Sequence, residues 1–229
     1  MYSRFKGLGL FLIVAGLVFV GVSGYTYLKT QEGARSLQAF SAAQDVKLSY
    51  DEQGQLTDRG TVEGAQAIMS LLTKDWGYTV NSGELNPNDP VVNTASEYMY
   101  QMATIAFHTL NGTQKVTLTQ PAEYNGKTYA AGTYDVPVAG RYWSQFNRLD
   151  PLDGKAREQA WTGTAHALIA ELGVGSVTAS ALQIGLGVAA IALLLGLVLI
   201  LAGAGLVWAA RPATATAAER VRAAAPAAA

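Results

Sequence analysis

Cysteine is absent from the 229 residues of the sequence. This absence excludes disulfide bonds, thiolate metal sites, cysteine nucleophiles and a lipidated N-terminal cysteine. Any folded domain of the chain must therefore be stabilised by packing and hydrogen bonds alone. A domain of about 150 residues is large enough for that.

Charged residues are scarce, at 14% of the sequence, against about a quarter in ordinary soluble domains. Two long stretches, residues 7–28 and 172–210, contain no Asp, Glu, Lys or Arg at all. Both exceed the ~18 apolar residues that a spanning helix needs. We therefore predict transmembrane helices at 7–28 and at 184–208, the most apolar part of the second stretch.

The distribution of charge predicts the orientation of these spans. Arg4 and Lys6 precede the first span, and Arg211, Arg220 and Arg222 follow the second, whereas residues 30–180 contain sixteen acidic residues and ten basic ones. Basic residues close to a span tend to stay in the cytoplasm. We expect a plasma-membrane protein with a cytoplasmic N-terminus (1–6), an extracytoplasmic domain (29–183) and a cytoplasmic tail (209–229).

An alternative for the first apolar stretch is a cleaved signal peptide, because Val22, Ser23 and Gly24 offer small residues for cleavage. The stretch is long for that purpose, since the apolar region of a signal peptide has ~7–15 residues. Tyr25 and Tyr27 also suit the interfacial belt of a retained anchor. We expect the span to be retained.

The central segment is predicted to fold as α+β. Apolar residues recur at helical spacing in four stretches, 30–43, 63–74, 91–110 and 154–172. Alternating residues favour a strand at 46–50 and a small antiparallel sheet in the strand-rich section 113–147, with a tight hairpin turn at Asn125 and Gly126. The tail 209–229 consists mainly of alanine, proline and threonine, which predicts disorder.

The sequence contains no pattern that predicts catalysis or a cofactor. Its two histidines, His108 and His166, lie on different predicted helices without the acidic partner spacing of a zinc motif. Gly-x-Ser-x-Gly, a phosphate-binding Gly-rich loop and EF-hand spacing are also absent. We expect no catalytic residue, cofactor or metal, interpret the histidines as structural, and assign a helix-capping role to Asp153.

Two aromatic clusters are the candidates for a partner or glycan contact, since aromatic and arginine residues dominate binding hot spots. The alternative is that they form ordinary core beside the sheet. The net acidic charge of the central segment argues against nucleic acid as a partner. The candidate residues are Arg141, Tyr142, Trp143 and Phe146 in one cluster and Trp76 and Tyr78 in the other.

Small residues recur at four-residue intervals in and before the second span, which is typical of a helix-packing face in a membrane. The first span of the same chain or a helix of another protein could pack on this face. Its residues are Ala181, Gly185, Ala189, Ala192 and Gly196.

A few short motifs carry a resemblance to a known group of proteins. The glycine-rich spans, Gly77-Tyr78-Thr79, Leu85, Asp89-Pro90 and Ala95-Ser96 resemble uncharacterised two-span actinobacterial membrane proteins that are often labelled aromatic ring-opening dioxygenases. The resemblance implies the two-span architecture and the membrane location. The enzyme label does not transfer, because such chemistry needs iron held by two histidines and a carboxylate, and no histidine would then remain as a base.

These observations together predict a non-catalytic, two-pass envelope membrane protein, an accessory subunit that binds a membrane or envelope protein through its outer domain. The alternative is a module that binds a lipid or glycan between the outer helices and the sheet. A membrane enzyme that uses His108 or His166 is the third hypothesis.

Overall fold

The computed structural model of the protein describes residues 2–210. From residue 211 onward, the predicted disordered tail lies outside the described residues. The chain divides into two compact units. The helix-pair unit contains the chain up to Glu32 and again from Gln183, and the central unit is Gly33–Leu182.

Residues 2–210 form five α-helices and six short β-strands, which confirms the α+β class and the small antiparallel sheet. The helices are α1 Tyr2–Gln44, α2 Val62–Ser70, α3 Ala95–Leu110, α4 Pro151–Ala160 and α5 Gly163–Ala209. The strands are β1 Ser49–Tyr50, β2 Leu56–Thr57, β3 Thr113–Leu118, β4 Ala122–Tyr124, β5 Lys127–Tyr129 and β6 Gly132–Pro137.

Helices α1 and α5 are long and apolar enough to cross a membrane. They contain 43 and 47 residues, so each is roughly 65–70 Å long. Only 11% of the most hydrophobic part of each helix is buried, whereas a helix that is hydrophobic all round is normally buried in a core or a membrane. The predicted continuation of the first span as a helix, 30–43, is confirmed by the end of α1 at Gln44.

The strand-rich section is one long hairpin with an irregular middle. Strands β3 and β6 pair antiparallel from Thr113 opposite Pro137 to Leu118 opposite Gly132, and β4 pairs with β5 at the tip. Asn125 and Gly126 both have positive φ, 47° and 74°, as the tight turn of a two-residue hairpin requires. The predicted turn is therefore confirmed, although the last strand ends at Pro137 rather than near residue 147.

Two hydrophobic cores stabilise the central unit. The first surrounds α2 and α3, where Ile68, Leu72 and Ala103 are fully buried. The second joins α4 to the β3–β6 ladder through Val116, Val138, Phe146, Trp161 and neighbouring residues. A short π-helical segment, Leu71–Asp75, follows α2, and Trp76 directly after it packs against both cores.

Two of the predicted helices have the wrong limits. The helix predicted at 91–110 begins only at Ala95, because Val91 forms an isolated bridge with Lys47 and Thr94 caps α3 in a capping box with Glu97. The helix predicted at 154–172 is interrupted, since α4 ends at Ala160 and α5 begins at Gly163.

The interruption and the start of α4 both have local causes. Trp161 is buried in the second core, and the Thr162 hydroxyl accepts a hydrogen bond from the Ala165 backbone N–H at the start of α5. The N-cap of α4 is Asp150, whose carboxylate accepts the N–H groups of Leu152 and Asp153. The capping role assigned to Asp153 was therefore wrong.

Candidate functional site

The first candidate surface contains the predicted aromatic residues, and the structure brings four of them together with Trp161. The Trp76 Nε1–H donates to Tyr142 Oη at 2.8 Å, and the Tyr142 ring stacks on Trp161 with centroids 5.9 Å apart. The Arg157 guanidinium lies 4.0 Å above the ring of Trp143. Most of these aromatic side chains therefore make contacts within the chain.

Within that arrangement Arg141 is half-buried and Phe146 is buried. Arg141 pairs with Asp153 at 2.6 Å, and its guanidinium lies 4.0 Å from the centre of the buried Phe146 ring. Tyr78 is not brought to this cluster and packs instead against the first core. The exposed part of the cluster is Tyr142 and Trp143, which are 38% and 40% exposed.

Both histidines have partners within the chain. His108 Nε2 lies 2.9 Å from Asp58 Oδ1, and His166 Nδ1 lies 3.0 Å from the Thr162 carbonyl oxygen. The His166 ring also packs against Trp143, with centroids 5.0 Å apart. Among residues 2–210, no group of three or more His, Asp or Glu side chains is arranged to hold a metal ion.

Buried polar groups occupy the interior between α2 and α3. The Glu97 carboxylate accepts hydrogen bonds from the backbone N–H groups of Asn93 and Thr94 and from the Thr94 hydroxyl. Burial nevertheless raises the pKa of Glu97, and it raises the pKa of the Tyr50 and Tyr100 hydroxyls as well. Both tyrosines therefore stay neutral at physiological pH, and Glu97 completes the capping box of α3 with the N-cap residue Thr94.

The second candidate site is an apolar cavity of about 590 Å³ inside the central unit, which the sequence did not predict. It lies among α1, α3 and α5, on the helical side rather than between helices and sheet. Its size is within the ~300–1,000 Å³ that is typical of ligand pockets. The apolar walls include Leu37, Phe40, Ile105, Leu168, Leu172 and Val174.

Two hydrogen bonds join the three helices around this cavity, and one glycine allows two of them to approach closely. Ser41 on α1 and Tyr98 on α3 share a hydrogen bond of 2.6 Å between their buried hydroxyls. Ser176 on α5 donates to the carbonyl oxygen of Ala95 at the start of α3. Any side chain at Gly175 would place its Cβ 2.6 Å from the Tyr98 ring, so glycine permits the close approach of α5 to α3.

Three of the polar residues that line the cavity have long side chains, and we call them the rim: Gln44, Gln101 and Glu171. None of the three side chains makes a hydrogen bond or ion pair with any residue in the described part of the chain. Their oxygen and nitrogen atoms are therefore available to a bound molecule. Sequence reasoning recognised the helical spacing of Leu37 and Phe40 but had no signal that linked them to α3 and α5.

The small-residue face of α5 lies against α1 within the helix-pair unit. The Ser23 hydroxyl donates to the Ala189 carbonyl oxygen at 2.7 Å, and a Cβ on Gly196 would lie 2.8 Å from the Gly16 carbonyl oxygen. Gly185 similarly approaches Thr30, whereas Ala192 is buried and Ala181, which belongs to the central unit, is exposed.

The matching face on α1 repeats every seven residues. Gly9, Gly16, Ser23 and Thr30 carry this repeat and pack against α5. A seven-residue repeat keeps one seam of a helix facing its neighbour. This seven-residue spacing is visible in the sequence but was not predicted, because the predicted packing face rested on four-residue intervals.

No protein-family model matches the chain, and neither a curated protein nor a solved structure matches it.

Proposed function

We propose that the chain is a two-pass plasma-membrane protein, in which residues 7–28 and 184–208 cross the bilayer. Large apolar side chains face outward along both segments, among them Phe11, Leu17, Ile191, Leu194 and Leu201. Exposure of so many apolar side chains to water would be unfavourable, at about 25 cal/mol per Å². A hydrocarbon environment removes that cost.

The contacts of α1 support its retention as an anchor rather than its removal as a signal peptide. Gly9, Gly16 and Ser23 lie in close contact with α5, and cleavage after Gly24 would remove all three contacts. Small residues at such a seam are typical of helix association in membranes. The basic residues beyond each span favour cytoplasmic termini and an extracytoplasmic central domain.

The proposed topology predicts different labelling at two sites in the naturally cysteine-free chain. Ser82→Cys, at an exposed position, is expected to react with a membrane-impermeant maleimide in intact cells. Thr214→Cys, beyond the second span, is expected to react only after the cells are permeabilised. The unmodified chain serves as the blank. Labelling of Thr214→Cys alone in intact cells would show that the orientation is the reverse of the proposed one.

We propose further that the central domain is non-catalytic and binds the apolar part of a lipid. The observation that carries this proposal is the 590 Å³ apolar cavity among α1, α3 and α5. In sequence, the segments of α1 and α5 that line the cavity adjoin the two charge-free stretches. A membrane lipid is the apolar molecule that such a protein meets at the highest concentration.

Filling the cavity is expected to remove the lipid. Val174 lines the cavity and is 67% exposed, so Val174→Trp places a large ring there without disturbing the core. Overpacking costs about 1–3 kcal/mol, which corresponds to roughly 5- to 160-fold weaker lipid binding. The measurement is mass spectrometry of lipids that copurify with the tagged protein in mild detergent.

The matched control is Val177→Trp, a change on the same helix at a position that is 70% exposed and does not line the cavity. It is expected to retain lipid at the wild-type level. Equal lipid in the wild type and Val174→Trp would refute the binding proposal.

A second candidate function is that of an accessory subunit that binds a membrane or envelope protein. The partial exposure of Tyr142 and Trp143 favours it. The same purification provides its test, because a stoichiometric protein partner should be recovered with the wild type and lost with Trp143→Ser. Recovery of the same partner with both proteins would remove this surface from consideration.

A further inference from the structure

The charge of the side chains that line the cavity indicates which kind of lipid headgroup can bind there. Glu171 is the only charged side chain among the described residues that line the cavity. No lysine or arginine lines it within residues 2–210, so an anionic headgroup would meet one negative charge and no compensating positive charge. Like charges that face each other across a binding site are unfavourable.

The rim can instead accept hydrogen bonds. The Glu171 carboxylate and the carboxamide oxygens of Gln44 and Gln101 are acceptors, and the two carboxamides also supply N–H donors. Hydroxyl and ammonium groups are donors that match this set, and a donor that bonds to a carboxylate forms one of the stronger hydrogen bonds. All three rim side chains are free of other partners in the described part of the chain.

We propose that the cavity selects a lipid whose headgroup carries hydroxyl or ammonium donors and no net negative charge, with Glu171 as the residue that discriminates. This proposal rests on the proposed lipid-binding function and adds the chemical class of the ligand. The acyl chain occupies the apolar walls around Leu37, Ile105 and Val174, and the headgroup lies against the rim.

The test offers three single-chain lipids with the same palmitoyl chain to the full-length protein in detergent, at equal concentrations. These are monopalmitoylglycerol, palmitoyl-lysophosphatidylethanolamine and palmitoyl-lysophosphatidylglycerol. Native mass spectrometry counts each bound lipid. The wild type is expected to bind the first two in preference to the anionic third.

Substitutions of Glu171 test whether its charge causes the preference for lipids without a net negative charge. Glu171→Gln is expected to reduce the discrimination against the anionic lipid by up to about fivefold, which is the effect of an accessible charge pair. Glu171→Lys is expected to reverse it. Glu158→Gln, a charge change at an exposed residue of α4 away from the cavity, is the matched control and should preserve the preference.

The outcomes separate this inference from the proposed function. Binding of all three lipids without preference, or a preference that Glu171→Gln and Glu171→Lys leave unchanged, would overturn the headgroup inference while lipid binding stands. Failure of the wild type to bind any of the three would overturn the lipid-binding function itself.

Discussion

Replacement of Trp161 by alanine is expected to destabilise the central unit by about 3–5 kcal/mol, the usual cost of removing a buried aromatic side chain. Trp161 is 6% exposed and lies in the second core. Its Nε1–H donates to the Arg141 carbonyl oxygen at 3.0 Å, and its ring contacts Tyr142 and His166. The substitution therefore leaves a cavity and an unpaired carbonyl together.

Thermal unfolding of the detergent-solubilised chain, followed by circular dichroism, measures this loss. For a unit of about 150 residues the Tm should fall by roughly 6–20 °C. Trp161→Phe keeps most of the packing and loses the N–H donor, so it should cost about 1–3 kcal/mol.

The matched control is Trp143→Ala, which removes the same side chain from a position that is 40% exposed. It should shift the Tm much less than Trp161→Ala does. Equal shifts for the two alanine variants would show that Trp161 does not organise the second core.

Replacement of Gly16 by leucine is expected to separate α1 from α5 in the helix-pair unit. A Cβ at Gly16 would lie 2.6 Å from the Gly196 carbonyl oxygen and 3.0 Å from the Ile200 backbone nitrogen. Backbone atoms cannot move aside as a flexible side chain can, so the cost should reach or exceed the ~1–3 kcal/mol of ordinary overpacking.

A disulfide reporter measures the separation, because the chain contains no other cysteine. The Ser23 hydroxyl lies 2.7 Å from the Ala189 carbonyl oxygen, which shows that the two helices approach closely at this level. We expect cysteines at these two positions to cross-link under mild oxidation. Gly16→Leu should abolish most of that cross-link. Gly21→Leu is the control, since a Cβ there meets nothing within 4 Å, and unchanged cross-linking in Gly16→Leu would contradict the tight seam.

Local features of the fold were predictable because they depend on neighbouring residues. The hairpin turn at Asn125 and Gly126 needs positive φ at both positions, which these residue types adopt readily. The continuation of α1 follows from apolar spacing without an intervening proline. The limits of α3 and α4 were predicted less well, because capping by Thr94 and Asp150 competes with apolar periodicity there.

The candidate sites were predictable only in part. Arg141, Tyr142 and Trp143 were recognised as an aromatic and basic segment, but the ion pair of Arg141 with Asp153 and the stacking of Tyr142 on Trp161 depend on the path of the chain around α4. The role of this segment as a partner contact stays a prediction. Its intramolecular contacts leave Trp143 as the residue to test.

By itself the sequence determined that the chain has two helices able to cross a membrane, an α+β segment between them and no disulfides, since composition and local periodicity decide these properties. The tertiary structure alone decided that α1, α3 and α5 line a partly open apolar cavity with Glu171 at its rim. The physical reason is that the cavity walls come from three segments far apart in the sequence, residues 37–46, 92–105 and 168–178. Their meeting depends on the Ser41–Tyr98 hydrogen bond and the close approach at Gly175, which no local pattern encodes.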